Sequence, residues 1–212
     1  MKSRAYVFHA SSDAAAASSA LANIEHLRTH FPTPYDIFLM VRDPDDELRS
    51  RVAHWGAILI PGALPLATDN VARYENSLIQ RICFRLHQWR PQSHPPPSRI
   101  VILDADCSTQ SNLDTLFTLP EVDRHAAPPP RAYWIDRHAV DSTWMLVTLS
   151  GRLWNRIDDA LASLGPGIYD MDPDQVLFGG SSLLLLPGSY VTMNDHRDDL
   201  MDRQLGQTAS ST

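Results

Sequence analysis

Two carboxylates separated by one small residue, Asp104 and Asp106, close the run RIVILDAD at residues 99–106. An all-apolar run of this length reads as a buried strand, and in open α/β sheets ligands gather outside the carboxyl ends of strands. Side chains at i and i+2 of an extended chain point to one side, so the two acids can converge on one point. Ala105 between them leaves room for a ligand. Paired carboxylates repel each other and call for a positive partner. A hard divalent cation, Mn²⁺ or Mg²⁺, is the natural one, because both take oxygen ligands. Bridging a diphosphate, such a cation would stabilise the charge that develops as a nucleoside diphosphate departs. The D-x-D spacing alone is common, and the competing reading is two solvated carboxylates that cap the turn and the next helix. The apolar strand ahead of the pair favours the metal.

Other chemistry-bearing residues carry less. His26 and His30 are four apart in a helical stretch, but H-E-x-x-H is absent and they read as a surface face. His9 ends the first strand-like run; a hydrogen-bonded strand-end residue is favoured over a nucleotide-pocket role. Asp158-Asp159 and Asp198-Asp199 read as solvated charges. The tryptophans share no spacing and read as core or half-buried residues, not as a sugar-stacking platform. There is no P-loop, no nucleophile elbow and no G-x-G-x-x-G after the first strand, which argues against a dinucleotide-binding domain. Cys83 and Cys107 form no C-x-x-C, which argues against a disulfide framework or structural zinc.

The elements that must position the aspartates follow from periodicity. Residues 4–9 (RAYVFH) read as a first buried strand. A helix over 13–30 follows, with Ala16, Ala20, Ile24 and Leu27 at helical spacing, Asp13 as N-cap and Pro32 and Pro34 as the stop. A strand at 35–41, a helix opened by Asp43-Pro44-Asp45-Asp46 and reaching about His54, and a short strand at 57–60 come next. Helices are expected at 70–89, 112–117 and 151–164, and strands at 99–103, 132–135, 144–149 and 182–186. Strands alternating with helices make the class α/β with a mainly parallel central sheet and flanking helices.

The bulk numbers set limits. At 212 residues the chain suits one domain with a sizeable core, and no internal repeat divides it. A net charge of −7 without a basic patch argues against duplex nucleic acid as a partner. No run approaches the ~18 apolar residues of a membrane span, and no secretory pattern precedes the first strand. The expectation is a soluble chain, cytoplasmic by default, or of the Golgi if an N-terminal anchor lies outside the sequence.

The segment RIVILDADCSTQSNLDTLF at 99–117 resembles the D-x-D region of glycosyltransferase family 8, the glycogenin-like enzymes. There a strand ends in D-[AS]-D and an N-[ILM]-D-x-L-F segment follows, matched here by Asn112-Leu113-Asp114-Thr115-Leu116-Phe117. Tyr6-Val7 and the Ala-rich helix resemble the family's opening. Residues 142–150, Tyr169-Asp170-Met171-Asp172 through Leu177-Phe178-Gly179, and Leu185-Leu186-Pro187 resemble fungal members related to Golgi N-acetylglucosaminyltransferases. The similarity spans most of residues 4–190 and is strong around the aspartate pair.

The resemblance implies a single GT-A (nucleotide-diphospho-sugar transferase) domain at 1–192, followed by a polar tail at 193–212. It implies a retaining transferase that moves a hexose or N-acetylhexosamine from a UDP-sugar to a glycan, protein or small-molecule acceptor, with Mn²⁺ (or Mg²⁺) as cofactor. By position, Asp104 and Asp106 would hold the metal, with Ala105 against the donor. Tyr6 and the loop from Ala10 to Asp13 would lie near the nucleotide base. Arg85, where many members carry Lys, would reach the diphosphate with a differently shaped cation. Asp174-Gln175 matches a D-Q pair beside the transferred sugar, with Asp172 close by. These three would orient the sugar and stabilise developing oxocarbenium charge. The family's C-terminal H-x-x-G-x-x-K-P-W, source of a third metal ligand, has no match in the sequence. The alternative is therefore a catalytically degenerate nucleotide-sugar-binding homologue, a pseudoenzyme or scaffold.

Overall fold

The computed structural model describes residues 4–10, 14–41, 44–61, 97–105, 107–119, 144–153, 155, 159 and 191–193. In chain order these form β1 (Arg4–His9), α1 (Ala14–His30), β2 (Asp36–Val41), α2 (Asp46–His54), β3 (Ile58–Pro61), β4 (Arg99–Asp104), β5 (Cys107–Thr109), a 3₁₀ helix (Leu113–Thr118), β6 (Trp144–Thr148) and β7 (Val191–Met193). The backbone at 151–153, 155 and 159 is helical, within the expected span. Asp13 and the elements expected at 70–89, 132–135 and 182–186 lie outside the described residues.

The larger sheet has the strand order β3-β2-β1-β4-β6. β1 pairs in parallel with both β2 and β4, β2 pairs in parallel with β3, and β6 runs antiparallel to β4. β4 is buried along its whole length and β1 along all but its first residue. Burial on both faces explains why their sequences are continuous apolar runs with no polar alternation. One face carries the rows Ile37–Tyr6–Val101–Leu146 and Leu39–Phe8–Leu103–Trp144. This face meets Ala17, Ala20, Leu21, Ile24 and Leu27 of α1 and Val52 of α2 in one core. The opposite face carries Ala5–Ile100–Val147 and Val7–Ile102–Met145, also buried.

Local chemistry sets the helix ends. Asp45 caps α2, its carboxylate accepting from the Leu48 amide at 2.7 Å. At the other end, Gly56 adopts φ 61°. The Gly56 amide donates to the Ala53 carbonyl and the Ala57 amide to the Val52 carbonyl. This is a Schellman stop, which needs a residue tolerant of positive φ. It turns the chain directly into β3, whose last residue, Pro61, lies opposite Val41. The outermost described strand tolerates a residue without an amide proton.

Two strands were not expected. β5 and β7 are three residues each and pair antiparallel in a second sheet, with Cys107 opposite Met193. The ladder therefore includes Met193, the first residue of the expected tail. The expected helix at 112–117 is a 3₁₀ helix, shifted by one residue and capped by Asn112.

Candidate functional site

The connections give the sheet one reversal point. From β1 the chain moves to β2 and then β3 on one side, and β4 lies on the other side of β1. The carboxyl ends of β1 and β4 thus flank a topological switch point, the place where open α/β sheets bind ligands. The register sets His9, the last residue of β1, opposite Asp104, the last residue of β4. His9 Nδ1 lies 3.6 Å from Asp104 Oδ1, with the side chains 8% and 3% exposed. That separation is too long for a hydrogen bond but close enough for strong attraction when the imidazole is protonated. Strand alternation puts both residues on the sheet face opposite Tyr6, Phe8 and Leu103.

Beyond Asp104 the chain leaves the sheet. Ala105 is in a turn, and two residues later Cys107 begins β5 in the second sheet. Asp104 is the last residue of β4. Asp106 itself lies outside the described residues, as do Arg85, Asp172, Asp174 and Gln175. Among the described residues no group of three or more His, Cys, Asp or Glu is placed to hold a metal. The turn is tied down from α1, where Asn23 Nδ2 donates to the Ala105 carbonyl at 2.8 Å. Ala105 is half-buried and packs against the core.

The side chain of Tyr6, expected near a nucleotide base, is fully buried, on the sheet face away from Asp104. Its hydroxyl donates to Asp114 Oδ1 at 2.5 Å, and the Thr33 hydroxyl donates to the same oxygen at 2.7 Å. Burial first, and the Asp114 hydrogen bond second, push the Tyr6 phenol far above its ordinary range. The rings of Tyr6, Tyr35 and Phe117 pack edge-on or tilted, and Arg4 donates to the Tyr35 hydroxyl at 2.9 Å. Ala10 lies at the switch-point rim and is buried, its amide donating to the Met40 carbonyl at 3.0 Å.

The N-L-D-x-L-F segment is thereby explained as a structural lock. Asn112 Oδ1 accepts from the Asp114 amide at 2.8 Å, and Leu113, Leu116 and Phe117 enter the core. Buried Arg99, at the start of β4, donates to the carbonyls of Phe117 and Leu119 at 3.1 and 2.6 Å. Sequence reasoning missed Asn23, Thr33 and Arg99. Asn23 left one signal: it falls among the apolar positions of the α1 stripe, beside Ala20, Ile24 and Leu27. Thr33 and Arg99 left none, since a threonine between prolines and an arginine at a strand start are ordinary.

No protein-family model matches the chain. Glucose N-acetyltransferase 1 of Gibberella zeae is 32% identical over 97 residues, covering 43% of this chain and 21% of that protein. The apo-form glycosyltransferase GlyE of Streptococcus pneumoniae TIGR4 superposes with a TM-score of 0.61 at 17% identity, over 89% of this chain and 46% of that one. The galactosyltransferase LgtC, solved with donor and acceptor sugar analogs, gives 0.58 at 13% identity, over 87% and 73%. Mouse xyloside xylosyltransferase 1 gives 0.53 at 13% identity, over 88% and 86%. The chain thus spans about a fifth of the curated relative and under half of GlyE. At these identities the likeness establishes the fold: α/β, of the GT-A type, with a mainly parallel central sheet. Among the described residues no helix is long and apolar enough to cross a membrane.

Proposed function

We propose that this chain is a metal-dependent glycosyltransferase domain of the family 8, glycogenin-like kind. It transfers a hexose or N-acetylhexosamine from a UDP-sugar with retention of configuration. The observation that carries the reading is the position of Asp104, at the carboxyl end of β4 and on the switch point between β1 and β4. The fold is that of enzymes described as glycosyltransferases, one of them solved with donor and acceptor sugar analogs.

The donor set agrees with a hard divalent cation. A carboxylate suits Mn²⁺ or Mg²⁺, and the neighbouring His9 imidazole adds a nitrogen 3.6 Å from it. Asp104 and Asp106 would hold the ion, which supplies Lewis-acid stabilisation of a departing diphosphate. Arg85 would neutralise the diphosphate, and Asp172, Asp174 and Gln175 would orient the sugar and stabilise its positive charge.

A titration of UDP-sugars with and without Mn²⁺, followed by melting temperature and product formation, tests the reading. Mn²⁺ with UDP at 100 times its Kd stabilises the wild type by about 2.7 kcal/mol, and Asp104→Asn loses that shift. No shift in the wild type would sink the proposal. Acetyl-coenzyme A belongs in the same panel, because the curated relative is named an N-acetyltransferase. The burial of Asp104 beside His9 favours a second reading, a nucleotide-binding homologue without catalysis. UDP binding with neither hydrolysis nor transfer of any donor would select it.

A further inference from the structure

We infer that Asn23 is a positioning residue for the metal-binding turn: its amide, presented by α1, fixes the chain between Asp104 and Asp106. This rests on the glycosyltransferase reading for its functional meaning, but its structural ground is independent. Asn23 is buried, at 8% exposure, among Ala20, Leu21, Ile24 and Leu27 on the sheet-facing side of α1. A buried amide in that stripe costs desolvation that an apolar residue would avoid, unless a hydrogen bond compensates. The bond it makes reaches 82 positions along the chain, to the Ala105 carbonyl at 2.8 Å. That carbonyl belongs to the residue that follows the last residue of β4, and a backbone carbonyl there needs a partner of its own.

The turn begins from β4, whose register is fixed by β1, and ends in β5 of a different sheet. Ala105 lies between the two ladders. A donor on a 17-residue helix is a rigid anchor for that point. Tyr6, Thr33 and Arg99 bond instead to Asp114, Phe117 and Leu119, in and just after the 3₁₀ helix. Removing a group that orients a metal ligand typically weakens metal binding about 10–100-fold.

The test compares the wild type with Asn23→Leu, which keeps the volume and removes the donor, and with Asn23→Ala. Amide hydrogen exchange of the metal-free chain is read at residues 105–107 and in β1 and β2. Calorimetry then measures the affinity for Mn²⁺ with UDP. The expected result is exchange in the turn accelerated about 10-fold more than in β1 and β2, and affinity about 10–100-fold weaker. Unchanged exchange in the turn, exchange accelerated uniformly across the sheet, or unchanged affinity in variants of a binding wild type would each overturn the inference. Should the wild type bind no Mn²⁺ with UDP, the glycosyltransferase reading fails, while the exchange comparison still decides whether Asn23 holds the turn.

Discussion

Asp114→Ala removes one carboxylate oxygen on which two buried hydroxyls converge. Tyr6 donates to it at 2.5 Å and Thr33 at 2.7 Å. A hydrogen bond to a charged acceptor contributes about 1.5–3 kcal/mol net, and a donor left buried without a partner costs about 1–3 kcal/mol. Thr33 keeps part of its network, because its oxygen also accepts from the Tyr35 amide at 3.2 Å. Tyr6 keeps its contact with the Thr33 hydroxyl but loses its charged acceptor, with its ring enclosed by Tyr35 and Phe117 and its hydroxyl out of reach of water. The sum is a loss of about 3–5 kcal/mol, a large share of a typical domain's ~5–15 kcal/mol. In urea, with a slope of about 2 kcal/mol/M, the midpoint falls by roughly 2 M. Tyr6→Phe loses one bond and no volume, so it costs about 1.5–3 kcal/mol, and the double variant costs less than the sum of the singles. The same variant leaves affinity for Mn²⁺ with UDP unchanged, since Tyr6 points away from the Asp104 face. An Asp114→Ala midpoint within error of the wild type, or additive single variants, would refute the lock.

Two further outcomes follow from the same core. The Tyr6 phenol is held protonated in the folded chain, while in the unfolded chain it ionises near pH 10. The contribution is therefore intact below about pH 10; above it stability declines, by about 1.4 kcal/mol between pH 9 and 11, and Tyr6→Phe lacks that slope in urea titrations. Arg99→Met removes the donor to the Phe117 and Leu119 carbonyls, costing about 2–3 kcal/mol, with proteolytic nicking near residue 119 as the readout.

The elements were legible because each is decided by its own neighbours. RAYVFH and RIVILD are too apolar to rest anywhere but between two layers, and Asp45 and Gly56 start and stop α2 by local hydrogen bonds. The placement of an aspartate at the end of an apolar strand was legible for the same reason. The three-residue strands β5 and β7 were not, because so short a ladder leaves no periodicity and depends on a partner far along the chain.

By itself, then, the sequence determined the α/β class, most described strands and helices, and the candidate acid at the tip of β4. Tertiary structure decided the rest: that β4 lies beside β1, which makes the tip a switch point; that Tyr6 faces the core; and that Asn23 grips Ala105. The Tyr6–Asp114 and Asn23–Ala105 contacts join residues 108 and 82 positions apart. No local propensity encodes such a pairing: it exists once burial on both faces of the sheet has fixed the strand order and register that bring the partners together.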